Sequence, residues 1–302
     1  MNFILAPLRG VTIRCFRETF AAELAACGFS EAVTPFITAA PGFDPLKDRE
    51  LRRVGARALP SAHSIIRPFD YSIISLTPQF IGKDPAALRD CLRRIRDAGC
   101  ETADLNCGCP FPMVRNKGRG SGLLRTPDVL RRMLEVGCEV MGPGKFSAKT
   151  RLGIESPDEI FSLLPVFNEF PLRFLAVHAR TAKQMYEGRC DAARLARVVA
   201  ESRNRVVPNG DLTMDAAPDG AMIGRVFVRS LGARPDSREL LLRYLAASEV
   251  ELGGQDHPVL GRMKELLSYW KEIPFWRRKW DVLKLCRTCD ELRSVVGGGF
   301  AS

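Results

Sequence analysis

The 302 residues suffice for one large domain, or for a large domain with a small appendage. With 46% hydrophobic and 26% charged residues and a mean hydropathy of −0.07, the composition is globular, and no apolar run approaches the roughly 18–20 residues of a membrane span. Forty-five Lys and Arg against 35 Asp and Glu leave a net charge of +10 and a pI of about 9.3, a balance that suits a polyanionic partner, most simply a nucleic acid.

The N-terminal Met1-Asn2-Phe3-Ile4-Leu5 enters a short apolar strand with neither a basic n-region nor a long h-region, so no secretory signal is expected and a cytoplasmic location follows. From there short apolar runs alternate with helical patterns. Strands are expected at Phe3–Ala6, Ala32–Thr38, Ile73–Ile81, Glu101–Asn106, Lys145–Lys149, Arg173–His178, Arg205–Pro208 and Gly220–Ile223. The clearest helix signal is Pro85–Ala98, which opens on Pro, carries Leu88, Cys91, Leu92 and Ile95 on one face and stops at Gly99. Others run from Pro127 to about Val136 and from Asp191 to Ala200. Eight strands with intervening helices fit a (β/α)8 TIM barrel over residues 1–233. An open doubly wound sheet is the alternative, but no G-x-G-x-x-G follows the first strand.

After about Ala233 the pattern turns helical, and residues 234–302 are expected to form a separate small helical domain. It is interrupted at Gly253-Gly254; Pro258 then leads into Val259–Lys271, and a last segment spans Phe275–Val296. Tyr269, Trp270, Phe275, Trp276, Arg277, Arg278, Lys279 and Trp280 interleave aromatic and cationic groups, and read as an exposed surface they suit RNA. Each aromatic taken singly is better read as helical core, and the cluster Arg277-Arg278-Lys279 is the stronger sign of an RNA surface. This tail holds 12 Lys and Arg against 10 Asp and Glu, so most of the +10 belongs to the barrel. The ten cysteines are scattered and read as reduced thiols. Cys286 and Cys289 form a lone CxxC with no second pair and no nearby His, so no metal site is expected.

Catalytic groups in such a barrel sit at the C-terminal ends of strands, with phosphate often bound after strands 7 and 8. The expected strand ends present Ala6-Pro7-Leu8-Arg9-Gly10, Gln79, Asn106-Cys107-Gly108-Cys109-Pro110, Lys149-Thr150-Arg151, His178-Ala179-Arg180, Asn209-Gly210-Asp211 and Gly224-Arg225. Singly each has a plain structural account. Together they bring amide, cation, imidazole and glycine to one rim, which suits a phosphate-bearing cofactor. The strand-4 loop adds two thiols. No acidic residue follows from Asn106 to Arg125, whereas Arg115, Lys117, Arg119 and Arg125 are cationic.

The ordered motifs A-P-x-x-G-V, D-L-N-C-G-C-P (Asp104–Pro110), K-T-R-L-G (Lys149–Gly153), V-H-A-R-T (Val177–Thr181), N-G-D and M-I-G-R resemble the tRNA-dihydrouridine synthases from Ile4 to Arg225. In the tail, Arg262-Met263-Lys264-Glu265-Leu266-Leu267-Ser268-Tyr269 is similar to the bacterial C subfamily, which modifies position 16 of the tRNA D-loop. The resemblance implies FMN held by Ala6, Pro7, Leu8, Gln79, Lys149, His178, Asn209, Gly210, Asp211, Gly224 and Arg225. It further implies reduction by NADPH, hydride transfer to C6 of a flipped-out uridine, and protonation of C5 by Cys109. Asn106 would orient the base, and Arg115, Lys117, Arg119, Arg180, Lys264, Arg277, Arg278 and Lys279 would contact tRNA. A monomer without metal or membrane attachment is expected.

Two features depart from the family pattern. Leu8-Arg9 stands where the family has Met followed by a small or acidic residue, which adds a cation beside the flavin site. Only seven residues, Leu212–Pro218, separate Asn-Gly-Asp from Asp219 at the head of the last strand motif, fewer than the roughly 10–12 of a parallel crossover. Either the wall opens there or strands 7 and 8 connect unusually, and reduced stability or FMN affinity is expected. Other readings are an FMN barrel acting on a small molecule, and an RNA-binding relative without catalysis.

Overall fold

A computed structural model describes residues 1–51 and 74–298. Ten strand segments pair in parallel: β1 (Phe3–Leu5), β2 (Phe29–Val33), β3 (Ile37–Thr38), β4 (Ser75–Thr77), β5 (Gln79–Ile81), β6 (Ala103–Cys107), β7 (Phe146–Gly153), β8 (Leu175–Thr181), β9 (Val206–Asn209) and β10 (Met222–Ile223). Their order is β3-β5-β6-β7-β8-β9-β10-β1-β2-β4. β2 and β3 are halves of one strand broken around Pro35, and β4 and β5 are halves of another broken at Pro78, since proline has no N–H for a ladder. The Thr34 hydroxyl fills the gap by accepting from Gln79 N at 3.0 Å. With β2 on β4 and β3 on β5, the two ends of the order are the same two strands, so the sheet closes into an eight-stranded barrel. All eight expected strands are present; Ile73, expected to begin the third, lies outside the described residues.

Period-two alternation sorts each strand. Phe3, Leu5, Leu105, Cys107, Phe146, Ala148, Leu175 and Val177 face the outer helices. Ile4, Ala6, Val33, Ala176, Val207 and Met222 fill the barrel with Phe174. Below them Glu31 accepts two hydrogen bonds from Arg173, at 2.6 and 2.8 Å. The inner side chains become polar toward the C-terminal rim.

The helix Pro85–Asp97 forms as expected, capped by Asp84, whose carboxylate accepts from Ala86 N and Ala87 N. The helix at Pro127 runs on to Met141. Sequence patterning missed the short helices Arg14–Thr19 and Ala21–Ala26, Glu159–Asn168 with Pro165 inside it, and Arg225–Ala233. Residues 210–221 form no helix, yet the wall is closed: Met222 pairs with both Asn209 and Ile4. The unusual connection, and not an open wall, is what occurs. The link is tied under the first strand, with Asn2 N donating to Asp219 at 2.6 Å and Gly220 N to Asn2 O at 2.7 Å. Its Ala217 is buried, and Leu212 and Met214 pack against the same apolar cluster.

The tail forms helices Ser237–Leu252, Asp256–Trp270, Pro274–Leu283 and Cys289–Gly297. The first ends at Gly253 in the left-handed region, as the Gly-Gly break foretold. The last expected segment is split at 284–288. One apolar cluster joins Phe16, Phe20 and Phe227 of the barrel layer to Tyr244, Trp270 and Trp276 of the tail, so the tail shares its core with the barrel. The core position preferred for each tryptophan taken singly is what Trp270 and Trp276 adopt, so they add nothing to an exposed RNA surface. Trp270 and Trp276 are at most 1% exposed, and their indole N–H groups donate to Val228 O and Gly232 O at 2.6 and 3.0 Å. A buried indole needs an acceptor, and the end of the helix Arg225–Ala233 provides carbonyls. Among the described residues no helix is long and apolar enough to cross a membrane.

Candidate active site

A cleft opens at the C-terminal rim of the barrel, where the strand ends and their loops meet the tail. Eleven residues expected at a site line it: Ala6, Pro7, Leu8, Asn106, Cys109, Lys149, His178, Asn209, Gly210, Gly224 and Arg225. They converge because neighbouring strands are in register, Asn106 with Lys149, Arg151 with His178, and His178 with Asn209.

A hydrogen-bonded chain sets the thiol. Ser147 Oγ and Gln79 Nε2 donate to the Asp104 carboxylate, both at 2.7 Å. Asn106 Nδ2 donates to Gln79 Oε1 at 2.8 Å, and Asn106 Oδ1 accepts from Cys109 N at 2.9 Å and Gly108 N at 3.1 Å. Gln79 thus lies fully buried beneath Asn106, off the cleft wall. Burial pushes Asp104 up to about 6 despite its two donors. Burial raises the Cys109 thiol as well, more than its hydrogen bond from Phe111 and the nearby Arg151, Arg9 and Lys149 charges lower it. Cys109 is therefore a protonated thiol at neutral pH, 8% exposed at the cleft. Cys107 points outward into the core, fully buried, with its pKa raised well above the ordinary value by burial.

Lys149 still meets solvent in the cleft, but protein surrounds its ammonium on other sides, and this desolvation, helped by Arg151, lowers it to about 7. Its Nζ donates to Asn209 Oδ1 at 2.8 Å. His178 is 5% exposed, and burial among the Arg151, Lys149, Arg180 and Arg225 charges holds it well below the usual imidazole range, hence neutral. Gly210, at φ +149, passes so close to Cys190 that a Cβ would stand 2.3 Å from its Sγ. At the start of the helix Arg225–Ala233, a Cβ on Gly224 would stand 3.0 Å from the Ala6 Cβ.

Other expected residues lie elsewhere. Asp211 is off the cleft wall, ion-paired with Arg180 and with Arg225 at 3.2 Å. Arg180, expected to contact substrate, is 2% exposed and donates to Asp211, Cys190 Sγ, Gly188 O and Glu187 O. It positions these loops. Lys279, expected on the RNA surface, is 3% exposed and donates to Val295 O and Gly298 O at 2.6 and 2.7 Å, closing the last helix. Lys264 is half-buried and donates to Cys286 O at 2.8 Å. Arg277 and Arg278 are exposed. Lys117 is exposed, and Arg115 and Arg119 are half-buried on the loop after Cys109, their Nε atoms buried without a protein partner.

Phe36, Tyr186 and Glu265, to which the sequence reading assigned no individual site role, also line the cleft, together with Arg9 and Arg151 of the strand ends and Tyr269 of the tail. Arg151 is anchored to Gly108 O, Thr181 O and Met185 O at 2.7–2.9 Å. Tyr186 faces the guanidinium groups of Arg151 and Arg225, 5.4 and 4.8 Å from its ring centre. Arg151 lay inside a recognised motif; Tyr186 follows a non-glycine residue at positive φ, Met185 at 51°, which only coordinates reveal.

The description "Dihydrouridine synthase (Dus)" belongs to the family model that matches residues 4–225. A tRNA-dihydrouridine synthase B of Vibrio cholerae is 27% identical over 234 residues, covering 74% of this chain and 67% of that protein. A probable tRNA-dihydrouridine synthase of Helicobacter pylori is 30% identical over 192 residues, and the match spans only 58% of its length. A tRNA-dihydrouridine(16) synthase of Pseudomonas putida is 29% identical over 294 residues, covering 92% of this chain and 81% of that protein, more than the barrel alone can supply. Among solved structures, an old yellow enzyme homologue of Zymomonas mobilis matches at 11% identity and a TM-score of 0.54, over 75% of this chain and 85% of its own, a likeness of fold. From its barrel motifs and the family match together, the chain belongs to the dihydrouridine synthase family.

Proposed function

We propose that this protein is a flavin-dependent tRNA-dihydrouridine synthase that uses NADPH to reduce the C5–C6 bond of a D-loop uridine, at position 16. The observation that carries the reading is Cys109, a buried neutral thiol held by Asn106 at the floor of a cationic cleft in a member of this family. The cleft residues fit FMN: Arg225 stands at a helix start where phosphate is favoured, and the Lys149 amine, whose hydrogen-bond partner is an amide oxygen, can meet an electron-rich group. Ala6, Pro7, Leu8, His178 and Asn209 would complete the cradle, with Gln79 and Asp211 supporting it from behind. FMN, when bound, supplies the hydride.

The chain's own residues do the rest. Lys149 favours electron-rich groups at its ammonium. Asn106 fixes the Cys109 backbone and leaves the thiol facing the cleft. Cys109 Sγ gives its proton to C5 of the uracil; burial raises this thiol's pKa, so it carries that proton at pH 7. Lys117 and the Arg115 and Arg119 side chains, with Arg277 and Arg278 on the tail, supply cations for tRNA phosphates and offset part of the few kcal/mol needed to flip a base. The protein would act as a cytoplasmic monomer.

The test is to incubate the protein with FMN, NADPH and unmodified tRNA and to map dihydrouridine by position. Product at position 16 with wild type and none with Cys109→Ala is the expected result. Product at another position refutes the site assignment, and flavin binding without any product refutes the activity.

A further inference from the structure

Among the described residues that line the cleft, Glu265 is the one carboxylate, set against Arg9, Lys149, Arg151 and Arg225. It comes from the tail helix Asp256–Trp270, whose rotation is fixed by buried Trp270 and by Arg262 pairing with Glu251 at 2.6 Å. Its stem lies against the Gly10 turn, with Cγ 3.5 Å from where a Cβ on Gly10 would stand. The residue is exposed, and among the described residues it forms no ion pair within 4 Å. A free carboxylate at the mouth of a phosphate-binding cleft repels every polyanion. A carboxylate can only accept hydrogen bonds, so what offsets that repulsion is an N–H or O–H donor.

We propose that Glu265 is a specificity-determining residue: it accepts a hydrogen bond from a donor on the RNA nucleotide seated at the cleft mouth, and it disfavours strands that bring only phosphate there. The inference rests on the tRNA reading above. On RNA such a donor is a ribose 2′-hydroxyl or an exocyclic amine, and the two are separable by substitution of the RNA.

The test uses the full chain with FMN, comparing wild type with Glu265→Ala and Glu265→Gln. Binding is measured for cognate tRNA, for tRNA carrying single 2′-deoxy substitutions around the target, for tRNA with inosine in place of guanosine there, and for single-stranded DNA. Removing a hydrogen bond to a charged acceptor should weaken cognate binding about 10-fold in Glu265→Ala. DNA binding should tighten about two- to threefold as the repelling charge leaves. One deoxy or inosine substitution should reproduce the loss in wild type and have no effect in Glu265→Ala, which names the donor as hydroxyl or amine. Unchanged cognate binding, or equal loss of tRNA and DNA binding, overturns the inference. Wild-type protein that binds tRNA and forms dihydrouridine while Glu265→Ala is unaltered sinks this inference alone; wild type without any product sinks the underlying reading as well.

Discussion

Strands β6 and β7 hold their cleft residues from below, whereas β9 and β10 hold theirs from the side. β6 and β7 share five register pairs, Ala103 with Phe146 through Cys107 with Thr150, and outer helices cover both. Their inner side chains Ser147, Asp104 and Asn106 join, through Gln79 of β5, in the chain that ends at Cys109. β9 and β10 share one pair, Met222 with Asn209, and the link between them has no helix. The rim there depends on Asn209 donating to Met222 O and on Arg180 with Asp211, while the Asn2–Asp219 tie holds the link at the opposite, N-terminal end of the strands. The group assigned to proton transfer thus stands on the thickly built side, and the groups assigned to cofactor phosphate stand on the thin one. Geometry on the first side is spread over many bonds, while on the second a few contacts decide it.

The largest effect should come from the thick side. Cys109→Ala is expected to lower dihydrouridine formation about 10²- to 10⁴-fold with flavin binding and thermal midpoint unchanged. Retention of more than a tenth of the wild-type rate would remove Cys109 from the acid role. Gln79→Ala leaves buried Asp104 and Asn106 each short of a partner and should cost about 2–4 kcal/mol in urea unfolding. A change below about 0.5 kcal/mol would mean that the strand ladder alone supports this side.

The third prediction concerns Lys149. Its folded pKa of about 7 lies below the ordinary 10.5, so between those values the unfolded chain binds one more proton and stability rises with pH. An electron-rich ligand favours the charged amine, so FMN affinity should be flat below about pH 7 and weaken above it. Fluorescence titration from pH 6 to 9 should lose this slope in Lys149→Met; a slope that persists excludes Lys149 as its source.

On the thin side, Asp219→Ala should cost only about 1 kcal/mol of stability yet weaken FMN binding about fivefold. Full flavin occupancy in that variant would show that the short link is no weak point. The smallest effects belong to the tail. Arg277→Ala with Arg278→Ala should reduce the salt slope of tRNA binding by about 1–2 at constant stability. Lys279→Ala should do the reverse, lowering the unfolding midpoint while the salt slope stays put.

Much of the barrel could be read beforehand because alternation along a strand is a local property. The parity that turns Asp104 and Asn106 inward also turns Cys107 outward, and the strand-end motifs located eleven lining residues of the cleft. Helix Glu159–Asn168 escaped notice because Pro165 interrupts its pattern, although the hydrogen-bond loss falls on a short helix end. In the tail it was Lys279, read with Arg277 and Arg278 as RNA-facing, that misled, and for a physical reason. Tryptophan and lysine at helical spacing are equally consistent with a wet face and a core face, and only packing against the helix Arg225–Ala233 places Trp270, Trp276 and Lys279 inside.

Family membership, the eight-strand plan and the place of Cys109 at the cleft were contained in residue order, since each rests on short motifs and periodicities that the chain carries locally. Closure of the wall across a helix-free link, the burial of Arg180 and Lys279, and the arrival of Glu265 and Tyr269 at a cleft whose floor lies some 150 residues earlier were decided by tertiary structure. Those outcomes depend on which faces of distant elements meet, and that is settled by burial of shared apolar surface and by long-range ion pairs, not by any local pattern.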